Sequence, residues 1–165
     1  MRPIPFTAAA AAAFAAALAA TAPANAAELP RVGVTPQGLI AQAVVAPPGS
    51  TTVYVSGITP GAVSGQGAGA EYGDTKTQTV SILGRISDIL KSQNMGMGDV
   101  AMMRVFLVAD PAKGAMDFAG MNEGFRQFFG TAEQPNKPAR ITMQIVQLAN
   151  PKFLVEIEAQ AVKAP

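Results

Sequence analysis

Three charged side chains near the C-terminus, Arg140, Glu156 and Glu158, are the residues of this chain best suited to chemistry. They lie in two alternating runs. In the first, Arg140, Thr142 and Gln144 alternate with Ile141, Met143 and Ile145; in the second, Glu156, Glu158 and Gln160 alternate with Val155, Ile157, Ala159 and Ala161. A period of two marks a half-buried strand. The Asn150-Pro151 break between the runs predicts two neighbouring strands, with the arginine and both carboxylates on one polar face. A guanidinium is a planar fork that grips a carboxylate through two parallel hydrogen bonds, and a nearby glutamate can position or deprotonate water. The same residues also fit an ordinary cross-strand ion pair contributing a few tenths of a kcal/mol. Spacing alone does not choose between the two.

The composition narrows the chemistry. The chain has no Cys and no His, which excludes a thiol nucleophile, a Ser-His triad and Cys/His metal or haem ligation. Residues 1–26 read as a secretory signal, with basic Arg2, an alanine-rich stretch from Ala8 to Ala20 and an Ala24-Asn25-Ala26 cleavage site. That stretch is too short and too weakly apolar for the ~20 residues of a spanning helix. The expected product is therefore a cleaved, periplasmic or secreted chain of residues 27–165, with an uncleaved tether as the alternative. Arg2 is the only charged residue of the signal, so eleven of the twelve basic residues remain against eleven acidic ones. A balanced charge gives no electrostatic case for nucleic acid or for an anionic membrane as partner.

The elements that must position Arg140 and the glutamates can be read in chain order. Ile40 to Val45 and Thr51 to Ser56 are β-rich and flank the turn Pro47-Pro48-Gly49-Ser50, which predicts a hairpin. Residues 61–73 are Gly-rich and read as a mobile loop. Asp74 is a candidate N-cap for a helix over Thr75 to Gln93, with Ile82, Leu83, Ile86, Ile89 and Leu90 as its core stripe. Val100 to Val108 is apolar on both faces apart from Arg104, so it needs cover on both sides. Phe118, Met121, Phe125 and Phe128 predict a second helix ending at Gly130. The result is an α+β domain with two helices packed on one face of a mixed β-sheet. Two helices cover one face only, so the other face of the central strand calls for oligomerisation.

Several segments together carry a family likeness. Pro138-Ala139-Arg140 is followed by Glu156-Ile157-Glu158-Ala159; upstream stand VYVSG at 53–57, GDTKTQT at 73–79, DVAMMRVFLVAD at 99–110 and FAGMNEGFRQFFG at 118–130. In this order they resemble the landmarks of the RidA (YjgF/UK114) family. The resemblance implies a RidA/chorismate mutase-like homotrimer with a central barrel and one cleft at each subunit boundary. It further implies cofactor-independent hydrolysis of reactive enamine or imine acids to 2-keto acids and ammonia. On that basis Arg140 clamps the substrate carboxylate, Glu156 positions the attacking water, and Ser56, Gly57 and Asn122 line the cleft. Residue-level alternatives stand beside these roles: Gly57 permits a bend, and Asn122 ties its helix to a neighbouring loop. Two positions depart from the family pattern. Ile40 stands where a cleft tyrosine is usual and makes that wall apolar, while Thr142 stands where active members often carry cysteine. They imply an altered substrate preference or weak activity. The remaining alternatives are a non-catalytic trimer that binds small carboxylates or acts as a chaperone, and the endoribonuclease label attached to some family members, which a chain with no His and a balanced charge does not support.

Overall fold

The structure is a computed structural model that describes residues 28–165. The expected signal at 1–26 lies outside the described residues. In chain order the elements are β1 (Arg31–Val32), β2 (Ala43–Val44), β3 (Thr51–Ile58), α1 (Thr75–Ser92), β4 (Val100–Leu107), β5 (Ala109–Asp110), β6 (Ala115–Met116), α2 (Phe118–Phe125), β7 (Ala139–Gln144) and β8 (Val155–Lys163).

The main sheet has the order β3-β8-β4-β7. β8 runs antiparallel to both β3 and β4, and β7 runs parallel to β4. The chain therefore makes two crossovers that advance the same way across the sheet, β3-α1-β4 and β4-α2-β7. Crossovers of this kind are right-handed, so two steps in one direction place both helices on the same face. This is the expected α+β architecture.

α1 forms because its sequence satisfies both ends and one side. Asp74 accepts a hydrogen bond from the Thr77 N–H at 2.8 Å, as an N-cap should. Ile82, Leu83, Ile86 and Leu90 are fully buried on the face toward the sheet, against Met103, Val105, Leu107 and Ile157. Burying each such side chain contributes about 1.5–3 kcal/mol, and Leu83→Ala would cost about 2–5 kcal/mol through the cavity it leaves. β8 presents Ala159 and Ala161 to this core beyond Ile157, leaving room for the helix layer to sit close.

Three expectations are corrected. The hairpin does not form: β2 pairs with β1, and β3 pairs with the C-terminal strand β8. The turn residues still turn the chain, with the Ser50 N–H on Pro47 O at 3.2 Å and Gly49 at φ +81, but they redirect it between sheets. The two C-terminal strands are not neighbours, because β4 lies between β7 and β8. α2 ends at Phe125, and Phe129 rather than Phe128 is the buried ring beyond it, stacked on Phe125 with centroids 4.5 Å apart. The far end of the Gly-rich loop meets Lys152, whose ammonium donates to Ala70 O and Glu71 Oε1 at 2.9 and 2.7 Å.

β4 has the predicted doubly apolar character, with one change of parity. A register shift between Val100 and Met102 turns Val100 to the buried side together with Met103, Val105 and Leu107. Met102, Arg104 and Phe106 face the side opposite the helices and are half-buried. Tyr54, 75% exposed, and Ile141, 45% exposed, extend that open face.

Candidate functional site

Arg140 lies on the helix side of β7, in register with the fully buried Met103 of β4. Its guanidinium reaches α2, where Nη2 donates to Asn122 Oδ1 at 2.8 Å and Nη1 to Met121 Sδ at 3.7 Å. The cation also sits 4.4 Å from the Phe125 ring centroid and 5.8 Å from that of Phe118. Aromatic faces attract a guanidinium through the ring quadrupole, but they do not neutralise it. No carboxylate among the described residues pairs with Arg140. Burial, assisted by repulsion from Arg126, accordingly lowers its pKa to about 10.

α2 is held in place for this contact by its own N-terminus. Asp117 accepts from the Gly120 N–H at 3.0 Å and pairs with Lys113 at 2.7 Å. Those two interactions, Lys113 first, hold the Asp117 carboxyl below the usual range. Asn122 is 8% exposed, one turn beyond the first residues of the helix.

Two more expected residues join Arg140. Thr142 lies two positions along β7 on the same side, and its Oγ1 is buried without a hydrogen-bond partner. Ile40 flanks the start of the strand, because the adjoining Ala41 bridges to Ala139 and donates its N–H to Pro138 O at 2.9 Å. Ile40 packs against the main core. The cluster is thus an apolar wall, an aromatic floor, an unpartnered hydroxyl and a cation.

The other expected residues gather elsewhere. Ser56 and Gly57 lie in an irregularity of β3, where the pairing with β8 shifts between Val55 and Ile58. A Cβ at Gly57 would stand 3.0 Å from Glu156 Cδ and in contact with Oε1, so the glycine makes room for that carboxylate. Glu156 has no ion-pair partner among the described residues, whereas Glu158 pairs with Arg104 at 2.7 Å. Ser56, Tyr54, Met102, Arg104, Glu158 and Gln160 border an open-face cavity of about 200 Å³.

The single polar face expected to hold Arg140 with both glutamates therefore does not exist. Arg104 opposes both Glu158 and Ile141 in the ladder, which puts the glutamates on the open face and Arg140 on the helix face. β3 and β7 are opposite edges, three strand spacings or roughly 14 Å apart. Sequence reading also missed the part of Phe118, Phe125 and Arg126. The two rings were read as core, and Arg126 gave one signal, its position four residues after Asn122. Among the described residues no three of Asp and Glu converge as a metal site would need.

A family model described as Endoribonuclease L-PSP matches residues 40–163. This chain belongs to the RidA/YjgF family. Among family relatives, a RutC family protein of Pyrococcus horikoshii is 39% identical over 92 residues, covering 55% of this chain and 64% of that protein. The chain thus spans under two thirds of that relative's length. TdcF of Escherichia coli, provisionally named a reactive intermediate deaminase, is 32% identical over 126 residues, 71% of this chain and 92% of TdcF. The crystal structure of Escherichia coli TdcF with bound serine superimposes with a TM-score of 0.56 at 30% identity, covering 81% of this chain and 94% of that one. This RidA-family chain shares their α+β fold, two helices on a mixed sheet.

Proposed function

We propose that the protein hydrolyses reactive enamine and imine acids to 2-keto acids and ammonia, in clefts completed between copies of the chain. The observation that carries this reading is the unanswered charge of Arg140. A guanidinium desolvated against Phe125 and fixed by Asn122 is costly unless an anion pairs with it, and a substrate carboxylate supplies that anion at little reorganisation cost. TdcF, crystallised with serine, holds a ligand with such a carboxylate.

With the carboxylate on Arg140, the imine carbon is presented to water. The water oxygen bonds to that carbon, one water proton leaves to a base and the imine nitrogen gains a proton, giving a carbinolamine. Its C–N bond then breaks, ammonia departs and the keto acid remains. Glu156, unpaired and given space by Gly57, suits the orientation and deprotonation of that water. Because Glu156 and Arg140 of one chain face opposite ways, the cleft takes Arg140, Asn122, Thr142 and Ile40 from one copy and Ser56, Gly57 and Glu156 from its neighbour. The exposed Tyr54 and Ile141 on the open sheet face favour such an assembly, a homotrimer in this reading, working in the periplasm or outside the cell.

Purified protein mixed with imines generated by an amino acid oxidase should accelerate keto acid release. Arg140→Lys, which loses the planar fork, should weaken keto acid binding roughly tenfold or more. Unchanged binding by Arg140→Lys refutes the clamp. One observation favours a second reading, a carboxylate-binding module without turnover: Ile40 offers no hydroxyl to substrate or water. It predicts thermal stabilisation by keto acids with no effect on imine decay.

A further inference from the structure

Arg126 follows Asn122 by one helical turn, its N–H donating to Asn122 O at 3.0 Å, so both side chains leave α2 on the same side. It is exposed and has no carboxylate partner among the described residues. With Pro36, Leu39, Phe129 and Lys137 it lines a cavity of about 350 Å³ that no acidic residue borders. Lys137 is only 9% exposed, yet its ammonium meets carbonyls alone, Thr35 O at 2.9 Å and Pro36 O at 3.4 Å. A nearly buried ammonium normally sits opposite a carboxylate.

This cavity adjoins the Arg140 clamp. Its wall residue Leu39 leads into Ile40 and Ala41, and Ala41 bridges to Ala139, the residue before Arg140. Arg126 is near enough to Arg140 for mutual repulsion to add to the lowering of the Arg140 pKa. A cation at the end of a helix is favourable for the backbone dipole, which accounts for Arg126 alone. It accounts neither for Lys137 nor for three cations gathered with no acid among them.

We infer that this cavity is a second anion subsite, which receives the far carboxylate of a substrate whose near carboxylate rests on Arg140, so that the preferred substrates are short imino dicarboxylic acids. The inference rests on the imine-hydrolase reading of the clamp and specifies its substrate class. Arg126 makes the contact at the mouth, and Lys137 holds the 35–38 wall while adding positive potential from behind it.

The test compares 2-iminoglutarate with the imine of norvaline, which has the same carbon chain without the second carboxylate. The expected kcat/KM favours 2-iminoglutarate about tenfold, and Arg126→Gln brings the ratio to about one. Equal rates for the two imines, or an equal loss on both in Arg126→Gln, overturn the subsite. Calorimetry with the product-like 2-oxoglutarate and 2-oxopentanoate separates this inference from the reading beneath it. Tighter binding of 2-oxoglutarate, abolished by Arg126→Gln, supports the subsite even without turnover. Equal binding of both through Arg140 overturns the subsite and leaves the clamp, while binding of neither overturns both.

Discussion

Replacing Asn122 with aspartate tests the Arg140 charge most directly, because it should make the protein more stable and less able to bind. Arg140 can only donate, so the atom it meets at 2.8 Å is an acceptor, and Asn122→Asp puts a carboxylate oxygen in the same place. At an effective dielectric of about 20, unit charges about 4 Å apart attract by about 4 kcal/mol. Desolvating the new carboxylate offsets most of that, leaving a net gain of about 1–2 kcal/mol. For a domain of this size the melting temperature should rise by roughly 3–8 °C at pH 7. Arg140 depresses the folded pKa of the introduced aspartate, so the gain is complete above the unfolded value of about 4 and disappears as pH falls through the folded one. The built-in carboxylate also occupies the clamp, and the thermal shift that keto acids give the parent should vanish. Asn122→Ala should do the reverse to stability, costing about 2 kcal/mol by leaving Arg140 with sulfur and ring contacts alone. Thermal scans with and without a keto acid read all of this. An aspartate variant that melts below the parent and keeps the ligand shift would refute the argument.

Gly57→Ala should leave the fold within about 1 kcal/mol, because the added methyl meets the movable end of Glu156, while imine turnover falls at least tenfold; turnover at the parental rate would remove Glu156 from the chemistry. Glu156→Gln should lower kcat by about 10²–10⁴ with keto acid binding largely kept, and Glu158→Gln, which only breaks the Arg104 pair, should lower it far less. Asp117→Ala should cost about 1 kcal/mol. Since the folded Asp117 pKa is depressed, that cap contributes fully above the unfolded value near 4 and is lost as pH falls through the folded value, so parent and variant should converge in acid melts.

The helices were legible because their signals are local. Asp74 and the Ile82-Leu83-Ile86-Leu90 stripe fix α1 within one turn of the chain. Strand character was equally legible in Arg140 to Gln144 and Val155 to Gln160, but alternation says which residues share a side and nothing about which strand lies next door. The connector through Asn150-Pro151 is long enough to step over β4, and that step separated Arg140 from Glu156. β7 also inverts the usual assignment of faces. As an edge strand flanked by a helix of only eight residues, it turns Arg140 and Thr142 inward to α2 and leaves Ile141 exposed. Of the site, only the family resemblance put Arg140, Asn122, Gly57 and Glu156 in one cleft; residue spacing indicated neither the contact of Arg140 with Asn122 nor the closeness of Gly57 to Glu156. Their separation into two clusters depends on sheet order, which no residue spacing encodes.

The placement of Arg140 and Glu156 on opposite sides of one sheet has a genetic consequence. Wherever a boundary cleft forms, two chains that are each dead can repair one another. A chain carrying Arg140→Lys still offers an intact Glu156, and a chain carrying Glu156→Gln still offers an intact Arg140. Refolded together in equal amounts they should assemble at random, and about one cleft in four would draw both intact residues. Catalysis regained on mixing, and lost again when the assembly is diluted into separate subunits, would make activity a property of the interface rather than of the chain.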